Sequence, residues 1–168
     1  MRTQSFARLA VLVSTALVVT GCAADGTQKH ESSSAPTLQL RLVTSSEAGP
    51  CTAPPLTADG PGTACDLNGT TTYDLADSLG VVTPTSVTRD GQGSAQTVGV
   101  EFDEADAKTL SDATGKALND KLALLVNGKV LSAAAVMAPI TNGEFIFGFG
   151  KALDADRVAA LLGAPATS

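Results

Sequence analysis

Leu122-Ala123-Leu124-Leu125-Val126-Asn127-Gly128-Lys129-Val130-Leu131 is the stretch that decides how this chain folds. Two apolar runs flank an Asn-Gly pair. That pair suits a type I′ turn, in which both central residues need positive φ, so the sequence predicts a β-hairpin here. Downstream, Asn142-Gly143 makes a second turn, and Glu144 to Gly150 reads as a strand. Its alternation puts Phe145, Phe147 and Phe149 on one face and Ile146 on the other. Gly148 and Gly150 interrupt it, as at a bulge or a close approach of backbone.

Moving upstream, Thr97 to Phe102 alternates like a strand and runs into Asp103, a good N-cap. Glu104 and Asp106 then occupy a first turn, where negative charge suits the helix dipole. This helix continues to about Asn119, with Ala107, Leu110, Ala113 or Thr114, and Ala117 on one face. Asp154 is the expected cap of a closing helix. Val158, Leu161 and Leu162 form its stripe, and Gly163 followed by Pro165 stops it. Nearer the N-terminus, Thr37 to Val43 is a strand, with shorter extended segments at Tyr73-Asp74-Leu75 and Ser86 to Thr88. Gly91 to Ser94 is a turn. Helices interspersed with hairpins predict an α+β domain, one mostly antiparallel sheet with two helices packed on it.

The first residues carry a different signal. Arg2 and Arg8 precede an apolar run, Leu9 to Val19, which is shorter than the ~20 residues that span a bilayer. It ends at Val19-Thr20-Gly21-Cys22, an apolar residue and two small ones before a Cys, the pattern of a lipobox. Residues 1–21 therefore read as a lipoprotein signal peptide. The thiol of Cys22 is the group that would accept diacylglycerol, anchoring the chain to the extracytoplasmic face of a membrane. Residues 22–36 are small and polar and read as a flexible tether of about 20 Å. His30, the single His of the chain, lies within it and has no fixed partners there. The folded domain is expected over 37–163, with 164–168 as a tail.

The whole chain has 168 residues, 43% hydrophobic and 17% charged, enough for one domain with a sizeable core. Removing the leader takes Arg2 and Arg8 from the 11 basic residues, leaving nine against 17 acidic ones, a formal charge of −8. That balance excludes nucleic acid as a partner, because phosphate binding needs clustered Lys and Arg. With Cys22 lipidated, Cys51 and Cys65 remain as an even pair in an oxidising setting, with Pro54, Pro55, Gly60, Pro61 and Gly62 between them. A disulfide is the expectation, contributing about 3 kcal/mol in the chain-entropy model. A metal site would need further ligands, and a redox motif would place the two Cys closer.

No catalytic constellation emerges, so no enzyme, cofactor or metal is expected. Gly91-Gln92-Gly93-Ser94-Ala95 misses the nucleophile elbow. Gly143 to Gly148 has the first spacing of a phosphate loop, but Phe149 stands where Lys belongs. Asp103, Glu104 and Asp106 lack the loop pattern of a calcium site. The row Phe145, Phe147, Phe149 is the candidate contact surface, either a groove wall for a polypeptide or packing against the two helices.

Several of these residues together resemble SecD, the accessory subunit of bacterial Sec export, in the head part of its large extracytoplasmic domain. They are Glu101-Phe102-Asp103, then Leu122 through Asn127-Gly128-Lys129-Val130-Leu131-Ser132-Ala133, Ile140-Thr141-Asn142-Gly143, Gly148-Phe149 and the closing helix from Leu153 to Leu162. Upstream, Leu40 to Val43 is similar to the first strand of that domain. Pro50-Cys51 through Cys65 and Tyr73-Asp74-Leu75 resembles the Cys-containing stretch of actinobacterial SecD, which with the composition suggests an actinobacterial source. Ala134 departs from the pattern, where the family usually has Pro. The resemblance implies a non-enzymatic module that binds exported polypeptide or a translocon or envelope partner, here on a lipid tether. The alternative is a ligand-binding or structural envelope lipoprotein that shares only the fold.

Overall fold

A computed structural model describes residues 36–92, 95–149 and 152–164. The expected signal peptide, Cys22, nearly all of the tether and residues 165–168 lie outside the described residues. The order of elements is β1 (Leu38–Ala48), β2 (Gly62–Cys65), β3 (Thr71–Val82), β4 (Pro84–Gln92), β5 (Ala95–Phe102), α1 (Glu104–Lys116), β6 (Lys121–Val126), β7 (Lys129–Ala135), β8 (Glu144–Phe149) and α2 (Ala152–Leu161).

The α+β class with antiparallel strands and two helices is as the sequence predicts, but the strands divide between two sheets. One has the order β2-β3-β1-β6-β7 and the other β4-β5-β8. The division falls at Thr83-Pro84, between β3 and β4. Pro84 has no N–H to give a ladder. The amide of Thr83 instead donates to Asp106 Oδ2 on α1 at 2.7 Å, so the helix N-terminus holds the chain where it leaves one sheet for the other. β3 is far longer than the short segment expected around Tyr73. Its pairing with β1 is broken by three register shifts, and its Asp and Ser residues blur any alternation.

The hairpin from Lys121 to Ala135 forms as predicted, with Asn127 at φ +50° and Gly128 at φ +73°. Its first strand lacks alternation because both of its faces are covered. Leu122, Leu124 and Val126 join the main core with Leu38, Leu40 and Val82 of the same sheet, Leu110 of α1, and Val158 and Leu162 from the α2 end. Ala123 and Leu125 face the other way, into a second core with Ala64, Leu75 and Val130. The larger sheet curls around that second core. Asp66, just after β2, bridges Val130 of β7 in parallel, so the two edges of the sheet meet.

Both helices pack as amphipathic elements against the main core. Asp103 caps α1, its Oδ1 accepting from the amide of Asp106 at 2.9 Å, and Leu110, Ala113 and Thr114 are buried. The closing helix starts two residues earlier than the expected Asp154 cap. Asp154 sits in its first turn, where its charge still opposes the helix dipole favourably. Gly163, at φ +87°, ends the segment. Among the described residues, no helix is long and apolar enough to cross a membrane.

Candidate functional site

β8 is an outer strand of the smaller sheet, and its ladder with β5 fixes where the three Phe side chains go. Phe145 lies opposite Val100, Phe147 opposite Val98 and Phe149 opposite Gln96. Since Val98 and Val100 are core residues, the row faces inward. Phe147 is only 4% exposed, while Phe145 and Phe149 are half-buried against the same core. The rings of Phe145 and Phe147 lie 4.7 Å apart at 59°, and those of Phe147 and Phe149 lie 6.4 Å apart at 30°. Such tilted and offset contacts suit the ring quadrupoles. Ile146, on the opposite face, is 60% exposed. The centre of the row is therefore core, and its two ends reach the surface.

Each end opens into a cavity. Phe145 lines one of about 110 Å³, together with Leu124, Val136, Met137 and Ile140. The segment after β7 forms its rim. Val136 is held from both sides, its amide donating to Asp120 O at 2.9 Å and its carbonyl accepting from the Asn119 amide at 2.8 Å. Four residues on, the amide of Ile140 donates to Thr114 Oγ1 of α1 at 3.0 Å. Between these fixed points Met137 projects, 79% exposed.

Phe149 lines the second cavity, of about 150 Å³, and this one is mixed: Asp66, Asn68, Asp154 and Arg157 contribute to it beside Val130, Leu131 and Val158. Arg157 is already engaged, donating to Asn68 Oδ1 and to the carbonyl of Leu67, both at 3.1 Å. Burial acts to raise the Asp66 pKa, but hydrogen bonds from the Thr70 hydroxyl and amide and from the Thr71 amide hold it below the ordinary 3.8. The cavity thus holds two carboxylates and one committed guanidinium. The two cavities lie between β7 and β8, the outer strands of their respective sheets.

Cys51 and Cys65 are joined by a disulfide, S–S 2.08 Å with Cα atoms 5.5 Å apart. The loop they close covers the second core. Leu56 packs into that core, and its amide donates to the carbonyl of Gly128 at 2.9 Å. A Cβ at Gly128 would stand 2.6 Å from that same amide nitrogen, so the turn needs Gly for contact as well as for φ. Arg41 locks the far side of the loop. It is fully buried, and its guanidinium donates to the carbonyls of Ala58, Gly60 (2.7 Å) and Ala76 (2.8 Å) and to Gln39 Oε1 (3.0 Å). Burial holds its pKa below the ordinary value against the attraction of Asp59 and Asp77.

Sequence reasoning brought the Phe row to one face but missed Arg41 and Met137. Arg41 sits at a polar position of an alternating strand, which ordinarily faces water. Two of its acceptors come from a loop 17 to 19 residues away. Met137 follows the hairpin without periodicity, so no pattern marked it. Among the described residues no group of His, Cys, Asp and Glu could hold a metal ion.

Residues 80–167 match the family model described as SecDF, P1 head subdomain. The chain is similar to the protein translocase subunit SecD of Acidaminococcus fermentans, 36% identical over 101 residues. That match covers 58% of this chain and 22% of the relative, so the chain spans about a fifth of that protein's length. Two solved structures share the fold. One is of SecDF, described as a membrane component that enhances protein export, with TM-score 0.50 and 15% identity over 76% of this chain and 62% of that one. The other is SecDF in its super-membrane-facing form, also at TM-score 0.50, with 19% identity over 76% of this chain and 18% of that one.

Proposed function

Because the chain belongs to the SecDF P1 head subdomain family, we propose that it is a non-enzymatic export-related module on the extracytoplasmic face of the cell membrane. It binds exported polypeptide or a partner in the translocon or envelope. The family match over residues 80–167 carries this reading, since that segment includes β5, α1, the β6–β7 hairpin, β8 and α2. Anchoring is through lipid on Cys22, and residues 22–36 tether the domain. Contact with the partner is through the β8 region, where the ends of the Phe145–Phe149 row reach the surface.

In-cell crosslinking of the lipidated chain, followed by mass spectrometry, tests this. Translocon subunits or newly exported chains among the captured proteins, lost in Cys22→Ala, are the expected result. Capture of cell-wall components alone would overturn the export role and leave a SecD-shaped lipoprotein with another task.

A further inference from the structure

On the reading that this module contacts polypeptide, we propose that β8 accepts an extended segment as an added antiparallel strand, selecting a Lys or Arg and an aliphatic residue four positions apart. Three features point the same way. First, β8 pairs with β5 on one side; on the other, among the described residues, only the Glu144 amide is engaged, with Asn142 Oδ1 at 3.4 Å. A strand edge with unpaired N–H and C=O groups is a template for another strand.

Second, the cavities at the two ends of the Phe row differ in chemistry. The one at Phe145 is walled by apolar side chains with Met137 exposed at its rim, and it suits one aliphatic side chain. The one at Phe149 presents Asp66 and Asp154, while Arg157 is spent on Asn68 and Leu67. Asp154 has no ion pair among the described residues. Two carboxylates beside one committed guanidinium leave net negative charge, complementary to a Lys or Arg side chain. Third, Phe145 and Phe149 are four residues apart on one face of a strand, about 13 Å. A paired strand places its own residues at the same interval on the same face, so one side chain reaches each cavity. In an antiparallel strand the basic residue comes first in sequence and the aliphatic residue second.

The probe is a fluorescein-labelled octapeptide with Lys and Leu four positions apart, Lys first, in a Ser/Thr background, titrated with the full chain by fluorescence anisotropy. Saturable binding is expected, weakened roughly tenfold or more by Met137→Asp, and as much by a central Pro in the peptide, which removes a ladder donor. Asp154→Asn weakens it about threefold, and rising salt acts in the same direction. Val81→Thr, at an exposed position on β3 of the larger sheet, leaves it unchanged. The proline peptide tests strand addition on the unaltered chain, so the result does not hang on any variant folding. Binding that ignores the central Pro, Met137→Asp or Asp154→Asn overturns the proposal, as does no saturation, or self-association of the chain that the peptide fails to displace. In-cell capture of exported chains without peptide binding sinks this inference alone. Peptide binding without such capture sinks the export role alone.

Discussion

The two faces of the five-stranded sheet are closed by different means. On one face a loop pinned by the Cys51–Cys65 disulfide lays Leu56 over a small core, and Arg41 ties the loop's carbonyls down. On the other, two helices and the Phe row of the smaller sheet pack around the main apolar core, with an ion pair from Arg89 of β4 to Asp156 of α2 at 2.5 Å, and cavities remain at both ends of the row. Space remains on the loop side as well, in a cavity of about 290 Å³ lined by Gln39, Leu56, Asp59 and Leu125.

Arg41→Ala is the sharpest way to break that contrast. It strips several carbonyls of their donor inside a closed structure, so a loss of about 3–5 kcal/mol in chemical denaturation is expected. A loss under about 1 kcal/mol would mean that the loop does not depend on the guanidinium. On the opposite face, Phe147→Ala should cost about 3–4 kcal/mol, and Phe145→Ala roughly half as much, because Phe145 is only half-buried. Equal costs would deny that the row has a core centre and open ends. Replacing both Cys51 and Cys65 with Ser should cost about 3 kcal/mol while the mixed main core survives, seen as an unchanged near-ultraviolet Phe signal.

Much of the apolar side was legible from residues alone. Asn127-Gly128 announced its hairpin, and Asp103 its helix, because each acts through neighbours a few positions away. The division into two sheets was hidden because it depends on Pro84 and on Asp106 reaching back to Thr83 across 23 residues. Strand alternation grouped the three Phe side chains but carried no information about which side of β8 would be covered. On the polar side the Cys51–Cys65 disulfide was legible as an even pair, but the way its loop packs was not. Arg41 looks like a solvent-facing residue until the loop folds over it, and no local pattern encodes that.

Asp66, Asp74 and Asp112 all titrate below the ordinary 3.8, held down by hydrogen bonds from Thr70 and Thr71, from Ser45 and Thr63, and from Lys108 respectively, against burial. The folded state therefore binds fewer protons than the unfolded state just under that value. Stability present above it should drain away as pH falls through the lowered values. Denaturation midpoints between pH 7 and pH 2 should show this slope, and Asp66→Asn should flatten it. No flattening would exclude the Asp66 turn from the effect. Met137→Asp marks the smallest change, within about 0.5 kcal/mol in stability, since the side chain is 79% exposed.

The disulfide joins residues only 14 apart, whereas the contacts its loop finally makes, such as Leu56 to Gly128, span much of the domain. Closing so short a loop needs only a local search, and long-range pairing is slower. As a chain emerges from its N-terminus, both Cys residues are out before β6 and β7 exist. Oxidation can then come first and hand the later strands a shaped lid, which shortens the search for the one docking step that no local signal guides.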